Sequence, residues 1–144
     1  MTTNAEDIDA VELLSNGHIL FSTSGAVVVT GVSSDDKDLL EFAPTTLGAT
    51  TAGTYSLYFD GSDVDLTASG EDVDGAAVDA TGKIYLSTLS NFAVTGVSGA
   101  DEDVFVFTPT STGSTTAGTY SSTLYFDGSV HGLAANDVFA IDLP

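Results

Sequence analysis

An all-β fold built from two tandem copies of one antiparallel unit is predicted by three features of this 144-residue chain. Short β-branched and aromatic runs recur at intervals of roughly 8 to 14 residues between clusters of Gly, Asp, Ser and Thr, and helical periodicity is nearly absent. Thr30-Gly31-Val32-Ser33 returns as Thr95-Gly96-Val97-Ser98, and Thr50-Thr51-Ala52-Gly53-Thr54-Tyr55-Ser56 returns as Thr115-Thr116-Ala117-Gly118-Thr119-Tyr120-Ser121. A repeat of about 65 residues is one supersecondary unit, which needs a neighbouring copy to bury its apolar face. With 42% apolar residues the chain has material for a core rather than for disorder. Residues 1–144 therefore read as a single domain of two repeats, about 6–70 and 71–135, followed by a partial third copy over 136–144.

Each element has its own signal. In the first copy, apolar runs place strands over 8–14, 18–23, 26–30, 39–43 and 55–59; the second copy places them over 73–79, 83–88, 92–95, 104–108 and 120–126. Asn16-Gly17 between the first two runs suits the positive φ angles of a two-residue hairpin, and Thr81-Gly82 takes its place in the second copy. Pro44 and Pro109 follow the fourth run, where a missing N–H suits a strand exit or an edge. The inserted Ser122-Thr123 predicts a bulge in the last strand. Asp7-Ile8-Asp9-Ala10 and Asp72-Val73-Asp74-Gly75 are echoed by Asp137-Val138-Phe139-Ala140, which gives three copies of the first strand but two of every other. A surplus strand either closes the domain or pairs with another chain, because an open edge templates association.

Composition excludes several classes of function. The formal charge of −19 is opposed only by Lys37 and Lys83, so nucleic acid and anionic membranes are poor partners. No cysteine is present to form disulfides or act as a nucleophile. Met1-Thr2-Thr3-Asn4-Ala5 carries neither a basic start nor an apolar stretch, so no signal peptide or membrane insertion is expected from this chain. The Ser/Thr/Gly/Asp-rich, Lys-poor composition points to an extracellular or cell-surface setting.

Asp-Val-Asp-Gly-Ala-Ala-Val-Asp from residue 72, a Gly turn, Ile84-Tyr85-Leu86-Ser87, Val104-Phe105-Val106-Phe107 and Leu124-Tyr125-Phe126 together resemble a β-propeller blade of the NHL and gluconolactonase-like kind. The unit also resembles Asp-rich repeats of bacterial surface and secreted proteins, a likeness that spans nearly the whole chain and implies no reaction. Propellers close with four to eight blades, so two units imply assembly of several chains into a ring. A duplicated β-sandwich is the alternative architecture.

Carboxylates cluster at equivalent positions, and hard oxygen ligands of this kind suit Ca²⁺. Asp36 and Asp38 match Asp101 and Asp103; Asp60 matches Asp127; Asp7, Asp72 and Asp137 match one another; Asp9, Asp63 and Asp74 complete the candidate set. The competing reading is that each Asp caps a turn through its own backbone. Asp60-Gly61-Ser62-Asp63-Val64-Asp65 lacks the spacing of an EF-hand loop. Phe59-Asp60-Gly61-Ser62 and Phe126-Asp127-Gly128-Ser129 lack the Ser or Thr that aspartic proteases place between Asp and Gly. His18 and His131 are not equivalent, which leaves no duplicated imidazole chemistry. Tyr55, Tyr58, Tyr120 and Tyr125 suit either cross-strand packing or sugar stacking. The expected function is thus a non-catalytic extracellular module that self-assembles as a homo-oligomer and binds calcium. A multivalent glycan-binding module is the alternative, and a calcium-dependent propeller hydrolase stands third.

Overall fold

The computed structural model describes residues 7–144; the polar start of the chain, where no signal peptide was expected, lies outside them. Strands β1 (Ile8–Leu13), β2 (Ile19–Thr23), β3 (Val27–Val29), β4 (Val32–Ser34), β5 (Leu39–Thr46) and β6 (Ala52–Phe59) make up the first repeat. The second repeat supplies β7 (Val73–Val78), β8 (Ile84–Thr88), β9 (Phe92–Val94), β10 (Val97–Gly99), β11 (Phe105–Ser111) and β12 (Ala117–Tyr120). Two antiparallel four-stranded sheets result, in the orders β1-β2-β5-β6 and β7-β8-β11-β12, and β3-β4 and β9-β10 form a small hairpin beside each. The all-β reading in two tandem units therefore holds.

The differences in detail have local causes. Strands β4 and β10 were not expected; Gly31 (φ +84°) and Gly96 (φ +95°) turn the chain so that three-residue arms can pair. Pro44 and Pro109 lie inside β5 and β11 rather than after them. Strand β2 pairs with β5 only as far as Phe42, so beyond it β5 and β6 run on as a two-stranded ribbon. A proline there breaks no central ladder, and the register shifts beside it in both copies. The Ser122-Thr123 insertion ends β12 instead of bulging it: pairing stops at Tyr120 and resumes as one bridge between Val104 and Phe126.

The sheets stack face to face with unlike faces in contact. Phe21, Val27, Leu40 and Phe42 on the front of the first sheet form a small cluster with Tyr55 beneath their own hairpin. Their equivalents Leu86, Phe92, Phe105 and Phe107 instead share one large core with Leu20, Leu39 and Phe59 from the back of the first sheet. Phe59 meets Phe107 edge-on at 5.4 Å, and Phe92 stacks on Phe105 at 3.9 Å. Burying such rings contributes the bulk of the stabilisation across this junction. A sandwich of two facing copies would bring like faces together. Here the front of the second repeat sits on the back of the first.

The same offset orders the inner strands. Strand β7 lies against β1, and Val73 donates its N–H to the Asp36 carbonyl at 2.9 Å. Val138 repeats that bond to the Asp101 carbonyl at 3.0 Å. The surplus segment was expected as a strand, yet 137–144 joins no ladder. It runs past Gly75, where a Cβ would stand 3.3 Å from Ile141 Cγ1. It thus occupies the inner-strand place of a third unit without joining a sheet.

Candidate functional site

Several of the candidate carboxylates are occupied by backbone amides. Asp38 accepts N–H groups from Asp35 (2.8 Å) and Gly61 (3.0 Å), and Asp103 accepts them from Ala100 (2.9 Å) and Gly128 (3.0 Å). Each carboxylate therefore ties the start of one strand to the turn after the last strand of its repeat. Burial raises Asp38 to about 6 against the lowering effect of those amide bonds. Asp60 accepts from the Ser62 hydroxyl and Asp127 from the Ser129 hydroxyl, both at 2.7 Å, so each is turned back on its own loop. Asp36 pairs with the buried Lys37, which also stands 3.6 Å from Asp35. Glu102 takes the place of Lys37 in the second copy, between Asp101 and Asp103.

Asp63 and Asp65 bind across the junction. Asp63 Oδ2 accepts the Thr116 N–H at 2.9 Å, and Asp65 Oδ2 accepts from the Thr95 hydroxyl and N–H. Sequence reasoning passed over Asp65 as a tie between repeats. It also passed over Glu71, a buried residue whose carboxylate gathers the Thr67, Ala68 and Ala93 amides at 2.7, 2.7 and 2.9 Å. A Glu beside repeated Asp at a strand start was its only signal.

Four of the predicted acids do come together. Asp9 from β1, Asp72 just before β7, Asp74 on β7 and Asp137 from the third copy line one cleft of about 460 Å³, with Phe139 at its wall. Asp7 stays exposed at the edge, where its carbonyl accepts the Ser24 N–H. Asp72 and Asp74 are only 6% and 5% exposed. Asp74 Oδ1 accepts the Ser87 hydroxyl at 2.9 Å, but Asp74 Oδ2, Asp72 Oδ1 and Asp137 Oδ1 are buried without a hydrogen-bond partner. Burial first, and then repulsion from Asp9 and Asp36, raises Asp72 to about 7. Burial likewise raises Asp74 to about 7; the Ser87 bond opposes the rise, and Asp137 and Asp72 add to it. Asp137 and Asp9 are raised too, chiefly by burial. Such groups either hold protons near neutrality or take a cation. Among the described residues no three acids or imidazoles stand close enough to hold a metal ion as they are.

The remaining candidates are mostly structural. Tyr55 packs against Phe21 and Phe42, and Tyr120 against Phe105 and Phe107. Tyr58 is half-buried, while Tyr125 is exposed and meets Tyr85 edge-on at 4.8 Å. His18 pairs with Glu41 at 2.7 Å, and His131 stacks on Phe126, so the imidazoles serve different repeats. Among the described residues no helix is long and apolar enough to cross a membrane. No protein-family model, curated protein or solved structure matches the chain.

Proposed function

We propose that the chain is a non-catalytic β-repeat module that builds extracellular or cell-surface structure by associating with copies of itself. The observation that carries this reading is the unequal burial of equivalent inner-strand residues. Ile8 and Val11 are 54% and 64% exposed, whereas their equivalents Val73 and Ala76 are 0% and 3% exposed. The second pair is covered because the first repeat lies in front of it, and none of the described residues covers the first pair in that way. A junction of unlike faces can be repeated head to tail, and such heterologous contacts propagate into rings or filaments. Blade-like units in a ring are one form this takes, in keeping with the resemblance to propeller blades. Light scattering across a dilution series tests the reading: mass should rise with concentration, and a monomer throughout would reject it.

Calcium binding in the Asp9, Asp72, Asp74 and Asp137 cleft is a second reading, favoured by the three orphaned carboxylate oxygens. Ca²⁺ accepts water among its six to eight ligands, so carboxylates of this cleft together with solvent would make up its shell. Calorimetric titration with Ca²⁺ at pH 8 should show heat that Asp74→Asn abolishes. No heat from the parent protein would remove the cation from the account.

A further inference from the structure

We propose that residues 45–51 of one chain dock beside Gly96, Val97, Ser98 and Leu124 of a second copy, repeating between chains the loop contact of the internal junction but not its inner-strand contact, whose place on the second repeat residues 137–144 already hold. This rests on the self-association reading above and supplies its contact surfaces.

The template is the loop after β11. Gly113 donates its N–H to the Tyr58 carbonyl at 2.8 Å, and Thr116 Oγ1 accepts the Asp60 N–H at 2.9 Å. Residues 112–115 form one wall of a groove whose other wall is Gly31, Val32, Ser33 and Leu57 of the first repeat. The loop is thus seated on the sheet that precedes it, and Thr116 is buried there.

The first repeat carries the same loop, already folded and unseated. Thr51 Oγ1 donates to the Gly48 carbonyl at 2.8 Å, as Thr116 Oγ1 does to Gly113. Thr46 Oγ1 donates to the Thr50 carbonyl at 2.8 Å, as Ser111 Oγ does to Thr115. Gly48 and Gly113 share one backbone conformation, at φ +99° and +95°. Yet residues 45–51 are all exposed, Leu47 among them. Preorganisation of this kind lowers the ordering cost of binding.

The second repeat carries the matching receptor, open. Gly96, Val97, Ser98 and Leu124 are the equivalents of the occupied groove's wall and line a cleft of about 500 Å³. Tyr125 and Asp127 hold the places of Tyr58 and Asp60, so Gly48 would donate to the Tyr125 carbonyl and Thr51 Oγ1 would accept the Asp127 N–H. Two of the substitutions between the free surfaces and the joined ones put an apolar residue in place of a polar one. Thr112 on the seated loop is Leu47 on the free one, and Asp63, which takes the Thr116 N–H within the chain, is Val130 on the open receptor, where that bond and the one made by Asp65, here Gly132, are not repeated. Both exchange polar for apolar surface, which suits a contact between separate chains that must form without a covalent tether. The inserted Ser122 and Thr123 border the open cleft and offer two more hydroxyls to the incoming loop.

Cysteine pairing tests the register, since the chain has no cysteine of its own. Asp63→Cys with Thr116→Cys in one chain is the internal control and should close within the monomer when a mild thiol oxidant is added, the same oxidant being used for the link between chains. Thr51→Cys and Val130→Cys, placed on separate chains and mixed at a concentration where light scattering shows association, should give a disulfide-linked dimer that neither gives alone. Thr51→Val should weaken association about tenfold, with the circular dichroism spectrum unchanged. Association without the Thr51–Val130 link, while the control closes, would overturn this inference and leave self-association standing. A monomer at every concentration would overturn both.

Discussion

Stability should fall as pH rises from 5 to 8, and Asp74→Asn should remove part of the fall. Asp72 and Asp74 each rise from the ordinary 3.8 to about 7 in the folded protein. A group with a raised folded value binds more protons folded than unfolded, so its stabilisation is complete below about 3.8 and is lost as pH climbs through about 7. At 1.36 kcal/mol per tenfold, each group loses about 4 kcal/mol in all and about 3 kcal/mol of it between pH 5 and 8. Asp72 and Asp74 repel one another and share the cleft with Asp9 and Asp137, so the protons leave in joint steps and the losses do not add in full. Asp38, raised to about 6, acts in the same direction.

The assay is urea unfolding of parent and Asp74→Asn protein at pH 5, 6.5 and 8, with chelator present. Asparagine keeps an acceptor for the Ser87 hydroxyl and places a neutral amide where Oδ2 is orphaned. The variant should exceed the parent by about 1–2 kcal/mol at pH 5 and by about 3–4 kcal/mol at pH 8, a gap that widens with pH as one raised carboxyl with a coupled neighbour loses its proton. A parent stability that is flat or rising over this range, or a variant no more stable at pH 8, would refute the reasoning.

The other expectations concern the core, the backbone anchors and the cation. Phe107→Ala, fully buried between the sheets, should cost about 4–5 kcal/mol in urea unfolding, whereas Phe42→Ala at the equivalent place under only its own hairpin should cost about 3; equal costs would deny that the junction does the burying. Asp103→Asn removes one of two acceptors for the Ala100 and Gly128 amides and should cost about 1–3 kcal/mol by the same measurement. At pH 8, free Ca²⁺ at a hundredfold excess over its dissociation constant should restore about 2.7 kcal/mol to the parent. Asp74→Asn should gain nothing, and an equal gain in both proteins would place the ion elsewhere.

The strand order was legible because Val, Ile, Phe and Tyr runs are separated by Gly and Asp turns, and the copies locate each other's boundaries. Which face of a strand meets what was not. Leu20 and Phe21 are both buried, because the first sheet is covered on both sides, so alternation is erased where it would have been most useful. Strands β4 and β10 were hidden because three residues are too few to show a period, although Thr30-Gly31 and Thr95-Gly96 hold their turns. The carboxylates were harder still. Asp38 is filled by an amide 23 positions away at Gly61 and Asp103 by one 25 positions away at Gly128, and spacing carries no trace of such bonds. Equivalence was informative in reverse: Asp9, Asp72, Asp74 and Asp137 meet because equivalent inner strands lie side by side.

That meeting links the charge of the chain to its repetition. The cleft is built from β1, β7 and the start of the third copy, so it exists only where successive units stack. Each further junction of the same kind would bring further inner-strand acids out of water, while Lys37 is replaced by Glu102 and supplies no internal cation beyond the first copy. Burying ionised carboxylates without a partner costs several kcal/mol each, so stacking must be accompanied by protons or cations taken up from solution. If copies associate as proposed, extension of the array and the uptake of positive charge are therefore one process. A chain of charge −19 can bury apolar faces end to end only under conditions that neutralise the acids placed at each junction.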